Sequence, residues 1–553
     1  MNPALRPNRE RLTRLPGDAR VLQADGYYLS IREMLKDGRR CRVAPRGTEM
    51  NTPSAARAVE FRDEGADTPV YQVRTATGRT LTATADQFVY APGGRVSVAS
   101  LSVGDLVAVY PFEGVPYEAP SSEVILDESG LSRFLDLLRS QPAEKSRQRW
   151  LGDLEERGLL PLRYDTPALA SLLKLVGYVL ADGSIEAEWD GSYRVVFPGG
   201  VEDLDDIRAD VAALGFTARA TSSQPRRNCA PGARAGLGIY HTVRCDATAF
   251  VLLLAALGCP IGRKTDQAFR FPGWIRRAPL WQKRLFLSAF LGGNMTRPRA
   301  QPSSRSFRSP IVTCSKRIGL SENAREFLED LRDMLREFGV QTESIHRERR
   351  GYTRSGDKVC KRCSLTVSGR PANLLALYEK VGFGYNRRKM ALGLQVSHYL
   401  RRWSRSLEER QALAAQAVRL HGELGAGPEK IFKAMGSPPG IEVGFIHHAI
   451  YEGRRPRKMS AFPRFVELQG ESRAVVGDGG MLFDEVVSKE PVEAAQLVYG
   501  FTVDQPSRDI IVEGFVVSNG GEYGDVRPER VQLGQEVSRQ VPAAINISQA
   551  NLT

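Results

Sequence analysis

Two apolar segments that each run into a tight turn constrain the fold of this chain most. The first is LVGYVLADGSI at residues 175–185, and the second is LSAFLGGNM at residues 287–295. Each segment carries two small residues four positions apart, which places them on one helix face. These pairs are Gly177 with Ala181 and Ala289 with Gly293. Small residues at this spacing allow two helix backbones to approach closely.

A polar residue ends each segment. It is Asp182 in the first and Asn294 in the second. A carboxylate at a helix C-terminus faces the negative end of the helix dipole, so it is poorly placed unless a cation lies nearby. For one segment alone, a buried helix followed by an Asp-Gly turn explains the pattern equally well.

Similar tracts follow both segments, as a duplicated unit requires. After the first come a strand at residues 193–197, a helix ending at Phe216 and further strands. After the second come a strand at PIVTC, a helix ending at Val340 and further strands. The spacing agrees too, because Lys264 lies 49 positions after Gly215 and Lys389 lies 50 positions after Gly339.

The paired motifs and the repeated tracts resemble the LAGLIDADG (DOD-type) homing endonucleases over roughly residues 160–395. The resemblance implies a pseudo-twofold αββαββα domain whose strands bind double-stranded DNA. It further implies that Mg²⁺ or Mn²⁺ is held by Asp182 and Asn294, and that Lys264 and Lys389 lie near the attacking water. The alternative for each lysine is a surface position.

Asn294 departs from the family pattern because an amide oxygen carries no charge and binds Mg²⁺ more weakly than a carboxylate. The resemblance therefore implies metal-dependent phosphodiester hydrolysis that is reduced or biased to one strand. The alternative is a sequence-selective DNA-binding protein that does not cleave.

The two ends of the chain carry a second resemblance. Residues 15–31, 78–110 and 497–520 alternate apolar and polar residues around Gly-containing turns, which predicts short antiparallel strands. These segments resemble the two halves of an all-β Hint domain of a large archaeal-type intein, with the endonuclease inserted between them. The alternative is some other all-β domain.

The intein's splicing positions are degenerate. They fall on Arg14, Thr84, Gln87, Ser518 and Asn519. Arg14 stands where the family has a nucleophilic Cys or Ser, and a guanidinium cannot attack an acyl carbon. Gln87 and Ser518 replace histidines, and Gly520 follows Asn519 where a nucleophile is usual. We therefore expect that splicing is lost; the further alternative is residual C-terminal processing after Asn519.

A helical region at residues 396–465 lies between the endonuclease-like part and the last Hint-like segment. Its basic end suggests a helix-turn-helix type of DNA-binding unit. The alternative is a solvated spacer. His447 and His448 are adjacent and would point to different faces of a helix, which makes them a poor metal pair. Cys360 and Cys363 form a lone CxxC, for which structural or free thiols are the favoured interpretation.

The net charge of +13 favours a polyanionic partner. Basic residues in the predicted loops and at the end of the helical region are the candidate DNA contacts. They are Arg226, Arg227, Arg297, Arg299, Arg305, Arg308, Arg347, Arg349, Arg350, Arg354, Arg454, Arg455, Arg457 and Lys458. The chain has no apolar run of membrane-spanning length and no apolar signal core, so we expect a cytoplasmic archaeal or bacterial protein. The internal repeat predicts a monomer.

The expected architecture is a multidomain α+β chain in which an all-β Hint fold is split by the endonuclease domain, with a small helical subdomain. The expected bounds are 1–13 for a host-protein remnant, 14–115 and 466–519 for the Hint parts, 116–395 for the endonuclease with repeats at about 165–265 and 280–390, 396–465 for the helical subdomain and 520–553 for a polar tail.

Overall fold

A computed structural model describes residues 15–36, 41–43, 54–61, 69–138, 141–188, 191–223, 240–301, 305–355, 358–438, 441–453, 462–467, 482–492, 498–503 and 509–518. Within these ranges, every helix is too short or too polar to cross a lipid bilayer.

Helices dominate the middle of the chain. They are α1 Ile31–Lys36, α2 Glu128–Asp136, α3 Glu144–Glu156, α4 Leu169–Ala181, α5 Val201–Ala213, α6 Thr248–Ala256, α7 Leu280–Asn294, α8 Ser321–Glu337, α9 Pro371–Leu375, α10 Arg387–Leu424, α11 Pro428–Ala434 and α12 Val443–Tyr451. A π-helical turn, Ala376–Val381, follows α9 directly.

Strands occur at both ends of the chain and between the central helices. They are β1 Leu15–Pro16, β2 Arg20–Leu22, β3 Tyr28–Ser30, β4 Cys41–Val43, β5 Ser54–Phe61, β6 Val70–Thr75, β7 Thr80–Thr84, β8 Phe88–Ala91, β9 Gly94–Ser97, β10 Leu106–Val109, β11 Val124–Leu126, β12 Leu162–Arg163, β13 Ser184–Ala187, β14 Tyr193–Gly199, β15 Arg219–Ser223, β16 Tyr240–Cys245, β17 Ile311–Arg317, β18 Thr342–Ser355, β19 Lys358–Val367, β20 Leu482–Val492, β21 Val498–Val503, β22 Asp509–Val512 and β23 Phe515–Ser518.

The two ends of the chain form one β region. A four-stranded sheet has the order β1-β21-β5-β4, and a ten-stranded sheet follows β3-β2-β22-β23-β10-β20-β6-β7, with β8 paired to β23 and β9 paired to β8. Strand β10 joins the two ends, because Val109 pairs with Leu482 on one side and with Phe515 on the other. Alternating residues such as Leu81 and Ala83 point into a shared apolar core.

The central region contains the duplicated unit, and both motif segments are helices, as predicted. Helix α4 leads into the antiparallel sheet β13-β14-β16-β15, and α7 leads into the antiparallel sheet β17-β19-β18. Helices α5 and α8 connect strands at equivalent points of the two halves. The halves differ after the motif: β13 follows α4, whereas Met295 makes a single bridge to Val312 after α7.

One continuous apolar core joins the two halves. Helix α4 contributes almost its whole surface, since 11 of its residues are buried. Helix α8 instead buries one stripe that includes Phe327, Leu331 and Leu335, which lie at helical spacing. Helix α4 therefore lies inside the domain, and α8 covers one face of the second sheet.

Helix α10 is longer than the sequence pattern predicted. It runs without a break over 38 residues, so the expected boundary between residues 395 and 396 falls inside it. Its first part packs on the duplicated unit, and its last part joins α11 and α12 in a small cluster around Ala417, Ile431 and Ile446. Gly425, in the left-handed region at φ 60°, ends the helix.

The observed architecture is thus mixed α/β with several sheets. The assignment of its parts to Hint and LAGLIDADG folds, and the expected domain bounds, remain predictions from the sequence.

Candidate functional site at the junction of two helices

The C-terminal ends of α4 and α7 meet at the centre of the duplicated unit, because small residues line the contact. A Cβ added at Gly177 would overlap the carbonyl oxygen of Phe286. A Cβ added at Gly293 would lie 2.8 Å from the Cβ of Ala181 and 3.3 Å from the Cγ of Asp182. The predicted close approach of the helices is confirmed, and it brings Asp182 next to the end of α7.

Each helix end is capped by one of the two predicted lysines. The Nζ atom of Lys264 donates to the carbonyl oxygens of Val179 at 3.0 Å and Leu180 at 3.4 Å, and also to that of Ala181. The Nζ atom of Lys389 donates to the carbonyl oxygens of Gly292 at 2.6 Å and Gly293 at 3.4 Å. A cation at the negative end of a helix dipole is favourable, so the lysines stabilise the paired helix ends.

Both lysines are half-buried, and burial disfavours their charged forms. Burial lowers the pKa of Lys264 to about 8, while the nearby Asp182 carboxylate opposes that shift. Burial also lowers the pKa of Lys389, again against the influence of Asp182. Asp182 therefore lies within electrostatic reach of both ammonium groups. The arrangement places a carboxylate between two lysines of equivalent position.

A third lysine, which the sequence reasoning missed, lies behind Lys264. Lys316 is only 1% exposed, and its Nζ atom donates to the carbonyl oxygens of Lys264 at 2.8 Å and Gln267 at 2.6 Å. The same atom lies 3.5 Å from the centre of the Phe269 ring. Burial lowers its pKa to about 8. The strict alternation of β17, which buries Val312 and Lys316 on one face, was the available signal.

Asp182 and Asn294 are the predicted metal ligands at this junction. Asp182 is exposed and Asn294 is half-buried, so both side chains can reach a ligand. One carboxylate and one amide supply only part of the oxygen shell that Mg²⁺ requires, and the two nearby ammonium groups repel any cation bound here. A divalent cation at this junction would therefore need further oxygen ligands, such as those of a bound phosphate.

The predicted basic contacts separate into three groups. Arg297, Arg299 and Arg308 are exposed around a short loop, whereas the Nε atom of Arg305 donates to the carbonyl oxygen of Phe462 at 2.6 Å. Arg347 forms an ion pair with Glu322. Of the others, Arg349, Arg350 and Arg354 lie in β18, and six fall outside the described residues: Arg226, Arg227, Arg454, Arg455, Arg457 and Lys458.

The residues at the intein positions lie at the seam between the two ends of the chain. The Nε2 atom of Gln87 donates to the carbonyl oxygen of Ser518 at 3.0 Å, and Ser518 Oγ accepts from Arg95 Nη1 at 3.2 Å. Thr84 is buried beside them, at the end of β7. Arg14 and Asn519 fall outside the described residues. The amide and hydroxyl groups are engaged with the backbone and Arg95, which gives them a structural role at this seam.

Two further sequence features have a defined environment. Cys360 and Cys363 are buried in β19, and neither forms a disulfide within the described residues. His447 and His448 place their ring nitrogens within 4.8 Å of each other and of a Glu452 oxygen, so they lie closer than adjacent residues on different helix faces were expected to. The Nδ1 atom of His448 is already 2.7 Å from Glu452 Oε1.

The comparison with known proteins gives relatives for nearly the whole chain, although no family model matches it. A tRNA-splicing ligase RtcB from Pyrococcus furiosus is 30% identical over 552 residues, which cover 96% of this chain and 53% of that protein. Relatives from Methanopyrus kandleri and Methanocaldococcus jannaschii carry the same name at the same 30% identity. The chain thus spans about half the length of the curated relatives it matches.

Two other matches differ in kind. A DNA-directed RNA polymerase subunit Rpo1N from Methanocaldococcus jannaschii is 28% identical over 71% of this chain and 29% of that protein. The solved structure of the homing endonuclease I-WcaI bound to its DNA recognition sequence covers 46% of this chain and 93% of that chain at 13% identity, with a TM-score of 0.28. A TM-score that low supports no argument about the fold.

These names overturn the interpretation of the chain as an intein-derived LAGLIDADG (DOD-type) homing endonuclease. The relatives that match nearly its whole length are named for ligation in tRNA splicing, which concerns RNA. The predictions of double-stranded DNA as the partner and of its hydrolysis as the activity are therefore wrong. The two alternatives, a non-cleaving DNA-binding protein and residual C-terminal processing, gain no better support from the same relatives.

The physical reason for the error lies in what the motif residues do. Small residues in a helix contact, lysines at helix ends and an exposed carboxylate suit any site that meets a phosphate backbone. None of these features distinguishes RNA, which has a 2′-hydroxyl, from DNA, which lacks it. The prediction of DNA therefore rested on the family resemblance alone, because these residues do not indicate which nucleic acid is bound.

Proposed function

We propose that the chain binds RNA through its phosphate backbone at the junction of α4 and α7, with one divalent cation held between Asp182 and a bound phosphate. The observation that carries the proposal is the position of Asp182 within electrostatic reach of both Lys264 and Lys389. The exposed arginines around residues 297–308 and the net charge of +13 add sequence-independent attraction to a polyanion.

The class of nucleic acid is taken from the relatives named tRNA-splicing ligase RtcB. Ligation is a property of those whole proteins, of which this chain matches about half, so the proposal concerns RNA binding. Mg²⁺ is the expected ion because the available ligands are oxygens. A cytoplasmic location and a monomeric state are parts of the same proposal.

The two lysines differ in what they can offer a phosphate. Lys264 has three carbonyl oxygens within hydrogen-bond distance, so the three N–H donors of its ammonium are occupied. Among the residues that the structure describes, Lys389 has two such oxygens, which leaves one N–H for a ligand. We therefore expect Lys389 to donate to a phosphate oxygen, and Lys264 to act mainly through its charge.

The test is fluorescence anisotropy with a labelled tRNA-sized RNA hairpin, titrated with and without Mg²⁺ at two salt concentrations. We expect affinity to fall by about tenfold or more between 50 and 200 mM salt, as counterion release requires. Asp182→Ala should remove the Mg²⁺ dependence and leave the salt dependence. Glu128→Ala, which removes an exposed carboxylate from α2, is the matched control and should change neither.

Three outcomes count against the proposal. DNA of the same sequence that binds as tightly as the RNA would overturn the choice of RNA. Mg²⁺ dependence that persists in Asp182→Ala would remove the cation from this carboxylate. Loss of all binding in Glu128→Ala, with the fold intact by circular dichroism, would place the RNA elsewhere on the surface.

A further inference from the structure

Helix α12, which takes no part in the junction of α4 and α7, carries three side chains of the kinds that bind transition metals. The ring nitrogens of His447 and His448 and a carboxylate oxygen of Glu452 all lie within 4.8 Å of one another. His447 and Glu452 are exposed and His448 is half-exposed, so an ion in solution can reach all three. Two imidazoles and one carboxylate are a ligand set that suits Zn²⁺ and related transition-metal dications.

The positions of the three residues along the helix explain how they meet. His448 and Glu452 are four residues apart and therefore share a face. The Nδ1 atom of His448 lies 2.7 Å from Glu452 Oε1. The His447 ring lies beside that of His448, with 5.7 Å between the ring centres and the two planes at 90°. Adjacent residues leave a helix in different directions, but an imidazole is long enough to bring its nitrogens back towards the neighbouring face.

Packing holds the helix that carries these residues. Ile446 and Ala449 on the opposite side of α12 are buried, and Ile446 belongs to the small cluster that joins α10, α11 and α12. Tyr451 lies 5.0 Å from the His447 ring and 5.4 Å from the ring of His421 on α10. The backbone of α12 is therefore fixed on its neighbours, and only the outer side chains have to adjust to a bound ion.

The adjustment that a metal requires is small. Zn²⁺ binds nitrogen and oxygen ligands at about 2.0–2.2 Å, so two ligand atoms of a tetrahedral ion lie about 3.3 Å apart. The distance between His448 Nδ1 and Glu452 Oε1 must open slightly, and the other separations, none above 4.8 Å, must close. Side-chain rotation of these accessible residues achieves both. The ion replaces the proton between the two atoms, which moves to Nε2 of the same neutral ring.

The position on the helix also favours a positive ion. The three residues lie at the C-terminal end of α12, where Glu452 is the C-cap residue. The last carbonyl groups of a helix carry the negative end of its dipole, which attracts a cation. The Glu452 carboxylate adds a full negative charge at the same place. A dication therefore gains electrostatic stabilisation here in addition to its ligand bonds.

We propose that the C-terminal end of α12 binds one transition-metal dication of the Zn²⁺ type through His447, His448 and Glu452. In the described part of the chain this group has three ligands, so water or an external ligand would complete a tetrahedral shell. Imidazole nitrogens suit Zn²⁺, whereas Mg²⁺ prefers oxygen ligands. The ion therefore differs from the one expected at the junction of α4 and α7, and its binding is independent of RNA.

Isothermal titration calorimetry of the full, untagged chain with Zn²⁺ in an excess of Mg²⁺ tests the site. We expect one Zn²⁺ to bind per chain. His447→Ala, His448→Ala and Glu452→Gln should each weaken binding by about tenfold or more, because each removes a ligand atom and even outer-shell changes cost about 10–100-fold. The visible absorption of Co²⁺, which is strong in a tetrahedral site, gives a second readout and should be lost in His448→Ala.

The matched control is His346→Ala, which removes an exposed histidine from β18, where its Nε2 atom lies 3.2 Å from Ser344 Oγ. This variant should bind Zn²⁺ as the unaltered chain does. Circular dichroism and the Tm of the α12 variants should match those of the unaltered chain, because the replaced side chains face solvent. A loss of metal binding in these variants then reports the ligands and not the fold.

The proposal is overturned if no Zn²⁺ binds in the presence of Mg²⁺, or if His448→Ala binds as tightly as His346→Ala. Several weak and equivalent sites that persist in all three α12 variants would mean adventitious surface binding only. Loss of Zn²⁺ binding in Asp182→Ala, with the α12 variants unaffected, would assign the ion to the junction of α4 and α7 instead.

Discussion

The contact between α4 and α7 gives the sharpest stability prediction, because one methyl group is enough to disturb it. In Gly177→Ala the new Cβ would run into the carbonyl oxygen of Phe286. A backbone atom of a neighbouring helix cannot move aside by changing rotamer. We therefore take the upper part of the overpacking range, about 2–3 kcal/mol, as the cost of this substitution.

Helix propensity acts in the opposite direction. Alanine is about 1 kcal/mol better than glycine inside a helix, so the net destabilisation of Gly177→Ala is about 1–2 kcal/mol. For a cooperative unit of 150–250 residues, 1 kcal/mol corresponds to about 2–4 °C in Tm. We expect Tm to fall by about 2–8 °C.

Gly152→Ala is the matched control, because it makes the same chemical change in the interior of α3, where a Cβ meets nothing within 4 Å. Only the propensity gain remains there, so Tm should rise by a few degrees. Differential scanning calorimetry of both variants gives the comparison. If Gly177→Ala melts at or above the temperature of the unaltered chain, the close packing described for α4 and α7 is refuted.

Three further predictions follow from the same region. Burial lowers the pKa of Lys316 to about 8, so above that pH the unfolded chain binds more protons than the folded chain. The free energy of unfolding, measured with urea, should therefore rise between pH 8 and 9.5. The rise should be smaller in Lys316→Met. Asp330→Ala should cost about 1.5 kcal/mol, because it removes charge-assisted hydrogen bonds from Arg276 and from Arg270 at 2.6 Å, and both arginines stay half-exposed to water. Asn294→Asp should lower the Mg²⁺ concentration required for RNA binding, because it adds a second carboxylate next to Asp182.

Each of these has a clear contradiction. Equal pH slopes for Lys316→Met and the unaltered chain would show that Lys316 keeps its charge in the fold. If Asp330→Ala unfolds at the same urea concentration as the unaltered chain, the ion pairs of Asp330 do not stabilise the fold. Unchanged Mg²⁺ dependence in Asn294→Asp would mean that the end of α7 contributes no ligand.

The pattern of small and apolar residues was sufficient to predict both motif helices and the equivalence of Lys264 and Lys389. Residues on one face of a helix or strand recur at a constant spacing, which makes each element recognisable in the sequence. A duplicated unit repeats its elements in the same order and at similar separations. The same reasoning placed strands at both ends of the chain. It also led to a DNA endonuclease, because residues that meet a phosphate backbone do not specify which nucleic acid supplies it.

Only the tertiary structure decided which distant residues meet. Gln87 reaches the carbonyl oxygen of Ser518, and Lys316 lies beneath Lys264. Neither pair shares a local element, so no periodicity connects its members. Contacts of this kind depend on how whole sheets and helices pack, whereas the equivalent positions of Lys264 and Lys389 follow from a repeat that can be counted along the chain.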